Sequence, residues 1–424
     1  MKIHLANGHL IDPKHGVDAK QDVFIAAGKV VAIGRAPDGF AANRTIDTAG
    51  LTIMPGVVDL AARLREPGFE YKATLESEML AAVAGGVTTL ACPPDTDPPL
   101  DEPGLVEMLK HRAKSLNLAH VYPLGALTVG LAGERITEMA ELTEAGCVAF
   151  SHADHPLTDN QVLLRALQYA ATFDFSVWLR PQDAYLSKGG VAHDGEVATR
   201  LGLAGIPRCA ETIAVSTILE LARASGVRLH LARISSADGL KLVSAAKRDG
   251  LRVTCDVAVH HAHLSEIDIG YFDSNCNLVP PLRSPRDRDA LRAGLEDGSV
   301  DAMCSDHTPV DDDGKLTPFG EAEPGATGLE LLLPLTLKWA TEAKLPLVAA
   351  LGRITHRPAA ILGIDAGHLG VGHPADICVF DPRMHWKVNP SNLRSQGKNT
   401  PFTGYEIPGK VRYTLVEGRV VFEG

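Results

Sequence analysis

Residues Met54-Pro-Gly-Val-Val-Asp-Leu-Ala-Ala-Arg-Leu-Arg-Glu-Pro-Gly68 decide how the rest of this chain is read. The segment opens on a breaker pair, Pro55-Gly56, and runs through an apolar stretch from Val57 to Leu60. It closes with Arg65, Glu66 and a second Pro-Gly turn. The first part predicts a short buried strand, with polar residues gathered just past its C-terminal end. In a parallel α/β barrel that end carries the chemistry.

Working outward, the pattern repeats. Strands are predicted at Val57–Leu60, Val87–Cys92, His120–Leu127, Cys147–Ser151, Ser176–Leu179, Arg228–Ala232, Arg252–Val259 and Asp301–Cys304. Helix-period segments follow most of them: Thr74–Ala84, Gly104–Lys114, Thr158–Thr172, Glu211–Ala224, Ala237–Arg248 and Arg286–Leu295. Glu134–Glu144 predicts a further helix with a solvated acidic face. Eight strands alternating with helices specify a (β/α)8 TIM-like barrel. An open doubly wound sheet is disfavoured because no G-x-G-x-x-G follows the first strand. Both ends of the chain hold short β-type runs: Lys2–Leu5, Asp22–Ala26 and Val30–Ile33 at one, Ala375–Phe380, Val411–Val416 and Arg419–Phe422 at the other. Neither set is large enough to make a core alone, so residues 1–53 and 366–424 are expected to form one small composite β-domain beside a barrel spanning 54–365.

Composition narrows the function classes. The chain has 424 residues, 45% hydrophobic and 22% charged, with 41 Lys plus Arg against 52 Asp plus Glu. The net charge of −11, without a basic run, argues against nucleic acid and anionic membranes as partners. Seven scattered cysteines without a C-x-x-C predict buried thiols in a reducing compartment. No apolar run approaches the roughly 20 residues of a membrane span, and the N-terminus lacks a signal-peptide layout. A cytoplasmic protein is expected.

The residues just past each predicted strand face the barrel mouth. They are Ala61, Arg63 and Arg65 after the first strand and Asp95 after the second. His152, Ala153 and Asp154 follow the fourth, Arg180 the fifth, Arg233 the sixth and Asp306 the eighth. A hydrolytic metal centre would need imidazoles and carboxylates there. Guanidiniums stay protonated and have no lone pair to give a metal. Arg63, Arg180 and Arg233 are therefore expected to fill the space of a metal pair and to pair with Asp306.

Several stretches, in order along the whole chain, resemble the dihydroorotases of the metal-dependent amidohydrolase superfamily. They include Leu64-Arg-Glu-Pro-Gly68, Ala84-Gly-Gly-Val-Thr-Thr89, Ala145-Gly-Cys-Val-Ala-Phe-Ser151, Pro280-Pro-Leu-Arg283, Ser305-Asp-His-Thr-Pro309 and Lys398-Asn-Thr-Pro-Phe402. The resemblance implies an amidohydrolase-type barrel. It also implies zinc-ligand histidines where this chain has Ala61, Arg63, Arg180 and Arg233. The family's Ser-Asp-Asp-Gly falls on Ser151-His-Ala-Asp154, which places His152 and Ala153 in its two aspartate positions. Arg65 matches the arginine that holds the substrate carboxylate, whereas the two ring-binding asparagines fall on Asp95 and Val279. Only Asp306 of the metal-site group matches. The chain thus most resembles the inactive homologues that accompany bacterial aspartate carbamoyltransferase. That resemblance implies no cofactor and no zinc, a homodimer, and the carbamoyltransferase catalytic chain as partner. Two other readings stay open: an active zinc-dependent cyclic amidohydrolase with unusual ligands, and a binding module for an anionic pyrimidine intermediate.

Overall fold

A computed structural model describes residues 1–424. Eight strands pair in chain order as one sheet: Val57–Asp59, Val87–Cys92, His120–Ala126, Ala149–Ser151, Ser176–Leu179, Arg228–Leu231, Val253–Ala258 and Ala302–Cys304. Every pairing is parallel. The sheet closes just beyond its first and last strands. There Arg63 N donates to His307 O (2.9 Å) and His307 N to Ala61 O (3.0 Å), forming the bridge between Ala62 and His307. Below that bridge the fully buried Asp59 accepts hydrogen bonds from the backbone N–H (2.8 Å) and the hydroxyl of Ser305. The fold is a (β/α)8 barrel with an added β-region.

Local sequence explains where the helices begin and end. Leu75–Ala84 starts at Thr74, whose side chain accepts from Ser77 N in a reciprocal capping box. Ser236 caps Ala237–Arg248 through Gly239 N, and Ser284 caps Pro285–Asp297 with proline in the first turn. Left-handed glycines close Cys209–Ser225 at Gly226 and Pro285–Asp297 at Gly298. The expected helix over 134–144 shrinks to Met139–Ala145. Residues ahead of it are held in the loop instead: Ile136 bridges Thr128, and the Thr137 hydroxyl donates to Ala126 O at 2.6 Å.

The barrel lumen is a packed core of small side chains around one large one. Trp178 sits among Val58, Ala91, Leu124, Ala149, Ala258 and Ala302. Its indole N–H donates to Ser176 Oγ (3.0 Å), and its ring lies 4.6 Å from that of His230. His230 in turn bonds Thr254 and Asp256. Helices pack around the outside over a larger apolar layer.

Both chain ends meet beside the barrel. A six-stranded sheet runs in the order Arg419–Glu423, Glu406–Val416, Ile377–Lys387, Thr52–Pro55, His9–Asp12 and Val17–Lys20. A four-stranded sheet joins Lys29–Ile33, Val23–Ala26, Lys2–Ala6 and Arg44–Asp47. Ile3, Leu5, Val23, Ile53, Ile377 and Leu415 share a separate core between them. The expected division between residues 53 and 54 falls inside the strand Thr52–Pro55. The strand expected at 375–380 starts at Ile377 and continues past Pro382 to Lys387, with its register disturbed between Asp381 and His385. Six cysteines are buried, but Cys209 is exposed at the start of its helix, contrary to the expectation for the set.

Candidate functional site

The floor of the barrel aims the first side chain of the site. Asp256, held by His230, accepts the backbone N–H of Arg233 at 2.5 Å, just past the sixth strand. Arg233 has φ +58, and Arg65, Ala153 and Asp306 also take left-handed backbone conformations in this region. Such conformations are unfavourable for residues other than glycine and concentrate at functional sites. Here they stand at the ends of the barrel strands.

Three guanidiniums and three carboxylates fill the mouth. Arg63 donates to Asp95 (2.7 Å), Thr308 Oγ1 (2.9 Å) and Asp154 (2.6 Å), and lies 3.7 Å from Asp306. Arg180 donates to the Asp154 carboxylate at 2.5 Å, to its carbonyl at 2.9 Å and to Gln182. Arg233 bridges Asp306 and Asp154, both at 2.7 Å. All three arginines are buried at their side chains. The expected contact between Asp306 and at least one of the three arginines is present, to Arg233, but Asp306 is not the centre of the network. Asp154 is the hub, because its two oxygens reach all three cations whereas Asp306 has one short contact.

The electrostatics follow the same division. Burial works to raise the Asp154 carboxyl, but Arg233, Arg63 and Arg180 outweigh it and hold it far below the ordinary carboxylate range. Burial also pushes the Asp306 carboxyl up, and there Arg233 and Arg63 offset it only in part. For Arg63, burial opposes the charge, and Asp95 and Asp154 more than restore it, so its pKa rises. Asp95, which the resemblance places at a ring-binding position, is a counter-ion to Arg63.

The remaining sequence-predicted positions fall outside this network. Ala61 contributes a carbonyl to the barrel closure, and the methyl group of Ala153 cannot bind a metal. His152 does not stand free on its loop: its ring nitrogens engage Thr128 Oγ1 (2.8 Å) and His155 O (2.7 Å). Val279 is half-buried and, as an apolar side chain, has nothing to offer the network. Arg65 donates from Nε to Pro309 O (2.9 Å), lies 5.9 Å from the Phe69 ring, and forms no ion pair with a carboxylate. Beside Arg180 a cavity of ≈ 140 Å³ opens between His152, Leu157, Tyr185, Ile213 and Thr217, and Arg63, Arg233 and Asp306 do not line it.

The donor set does not fit a zinc pair. Zinc takes nitrogen, sulfur or oxygen lone pairs, and the positions around Asp154 and Asp306 are occupied by hydrogen-bonded guanidiniums. Sequence reasoning missed a second cluster of metal-binding types, Asp365, His368 and His373. Its groups are already committed. Asp365 holds His368 Nε2 (2.8 Å), His373 Nδ1 (3.1 Å) and Lys14 (3.1 Å), while His368 Nδ1 accepts from Gly370 N. That acceptor role puts the His368 proton on the nitrogen a metal would need.

The dihydro-orotase-like family matches residues 50–239, and the amidohydrolase family matches residues 210–422. A protein of Pseudomonas aeruginosa named dihydroorotase-like protein is 46% identical over 424 residues, covering 100% of both chains. The chain belongs to the dihydroorotase-like amidohydrolases. Within this family, a protein of Syntrophotalea carbinolica named dihydroorotase is 40% identical over 422 residues, covering 100% of this chain and 99% of its own. Among solved structures, the L-hydantoinase (dihydropyrimidinase) of Arthrobacter aurescens superposes with TM-score 0.89 at 26% identity, covering 99% of this chain and 96% of that one. A D-hydantoinase at 22% identity and TM-score 0.84 shares the fold. No helix of this dihydroorotase-like chain is long and apolar enough to cross a membrane.

Proposed function

We propose that this chain is a non-catalytic dihydroorotase-like protein that serves as a structural subunit of pyrimidine biosynthesis. In this reading it binds no zinc, forms a closed two-fold homodimer, and assembles with the catalytic chain of aspartate carbamoyltransferase. The observation that carries this reading is the pairing of Asp154 with Arg63, Arg180 and Arg233, and of Asp306 with Arg233. Metal binding takes a water pKa from about 16 to about 7, and neither carboxylate alone makes comparable hydroxide. The partner rests on the resemblance to inactive homologues that accompany the carbamoyltransferase. The name dihydroorotase-like, rather than dihydroorotase, for the 46% identical Pseudomonas aeruginosa relative is in keeping with that reading. The test is to purify the carbamoyltransferase with and without this chain and measure mass and activity. A larger and more active assembly is expected with the chain present; equal mass and activity in both preparations would reject the subunit role.

Two specific observations favour other readings. The 40% identical relatives named dihydroorotase favour an active cyclic amidohydrolase. Arg65, lacking a carboxylate partner, favours binding of an anionic pyrimidine intermediate at the mouth. Thermal stabilisation by dihydroorotate or carbamoyl aspartate that disappears in Arg65→Ala separates this last reading from the subunit role.

A further inference from the structure

The loops after the seventh and eighth barrel strands form a rim that the network in the mouth does not use. The first loop contains two short helical turns, Glu266–Ile269 and Ser274–Cys276, and the second contains Asp313–Lys315. Their inward residues are ordinary anchors: Ile269, Cys276 and Phe319 are buried. Four of the outward ones are apolar. Tyr271 is 92% exposed, Leu316 81% and Ile267 59%, with Phe272 beside them at a ring separation of 5.5 Å from Tyr271. Isolated exposed apolar residues need no explanation, but a group on two adjoining loops does.

The loops are tied together and stiff. Ser274 Oγ donates to Lys315 O at 2.6 Å, and Lys315 Nζ returns bonds to Ser274 O (3.0 Å) and Asn277 O (3.4 Å). Phe272 is held at φ +62, an unfavourable conformation for a bulky side chain. It is fixed there by the Asp273 N to Ile269 O bond (3.0 Å) on one side and the Cys276 N to Asp273 O bond (2.9 Å) on the other. Aromatic side chains displayed on a rigid loop lose little freedom on binding, which suits them to be the anchors of an interface.

The charge around these anchors says what kind of surface they meet. Residues 266–276 and 311–323 contain eight carboxylates and one lysine. That lysine, Lys315, is the internal tie just described, and Lys72 neutralises only Glu323. The cations that share a groove with Asp268 and Tyr405 are paired: Arg288 with Asp289, and Arg292 and Lys338 with Glu342. The rim is therefore apolar at its centre and acidic around it. A second copy docked here about a two-fold axis would set Asp312 and Asp313 against an equally acidic rim, which is repulsive.

We propose that this rim is the docking surface for a different protein chain, one presenting an apolar centre ringed by lysine and arginine. The assignment rests on the subunit reading above and names the surface that reading lacks. The experiment mixes the intact chain with the aspartate carbamoyltransferase catalytic chain and reads affinity and mass at low and high salt. The variants are Tyr271→Ser with Leu316→Ser, and separately Asp312→Lys with Asp313→Lys, each checked for an unchanged melting curve. The first pair is expected to weaken assembly by about tenfold or more. The second is expected to slow association and flatten its salt dependence. Assembly of native and variant chains alike would overturn the surface and leave the subunit reading standing. No assembly by the native chain would end both. A native dimer that the first pair converts to monomer would show the rim to be a self-interface and overturn the commitment to a different chain.

Discussion

The eighth strand ends in two neighbouring residues with opposite fates. Asp306 faces the arginine network at the barrel mouth. His307 faces away, into a buried seam. In the seam, His307 Nε2 contacts Glu78 at 2.6 Å, and Glu78 also accepts from Ser395 Oγ (2.6 Å) and Gln396 N (2.9 Å). These bonds stitch the segment near 395 to the barrel's first helix and last strand. Asn399 does the same with Val310, Thr308 and Gly325, each at 3.0 Å, and Glu66 accepts the N-terminal Leu75 N–H at 2.8 Å. Of these residues Glu66, His307, Thr308 and Asn399 lie in stretches that resemble the dihydroorotases. The comparison teaches that motifs resembling those of the dihydroorotases hold loops to the barrel here, while the side chains at the mouth are taken up by ion pairs.

The largest expected effect tests the hub. Asp154→Ala leaves three guanidiniums facing one another and should destabilise by roughly 3–5 kcal/mol, more than Asp306→Ala. Denaturant unfolding of the two variants checks it, and a larger loss from Asp306→Ala would return the hub to the eighth strand. Next comes the seam. Glu78→Gln keeps the shape but loses a charged acceptor with several donors, and should cost roughly 1–3 kcal/mol. A neutral result would mean that the kept motifs are not what holds the loops.

The pH dependence sharpens the same contrast. Asp154 has a native pKa depressed below its unfolded value of about 3.9. Its stabilisation is therefore present above that value and lost as pH falls toward the native pKa. The stability gap between the native chain and Asp154→Asn should be flat from about pH 8 to about pH 5 and narrow below about pH 4. A gap that widens on acidification would contradict the sign. The smallest effect belongs to Arg65→Ala, about 1 kcal/mol, because this buried guanidinium gives up one hydrogen bond to Pro309 O but no ion pair. A loss in denaturant unfolding as large as that of Asp154→Ala would place Arg65 in the network.

Much of the fold was legible because barrel strands are short apolar runs bounded by turn residues. Val87–Cys92 and Ser176–Leu179 are found at the predicted limits, and the helix Ala237–Arg248 matches to the residue. Ends set by tertiary pairing were less so: the strand Ile377–Lys387 runs on because Glu406–Val416 pairs with it, and 134–138 is drawn into a loop by Thr128 and Ala126. At the mouth, the sequence showed which groups gather but not how they pair. Asp154 was hidden because it stands where the family has glycine, past the aspartate positions that fall on His152 and Ala153. Its role depends on a left-handed turn at Ala153 that no local pattern announces.

The central proposal is that Arg63, Arg180 and Arg233 leave the mouth unable to hold a metal pair. The most direct measurement is zinc content and dihydroorotate hydrolysis on the purified chain after incubation with excess zinc and removal of the unbound ion. The account predicts no zinc retained at the strand ends and hydrolysis at background. Near-stoichiometric zinc with turnover that is lost in Asp306→Asn would contradict it.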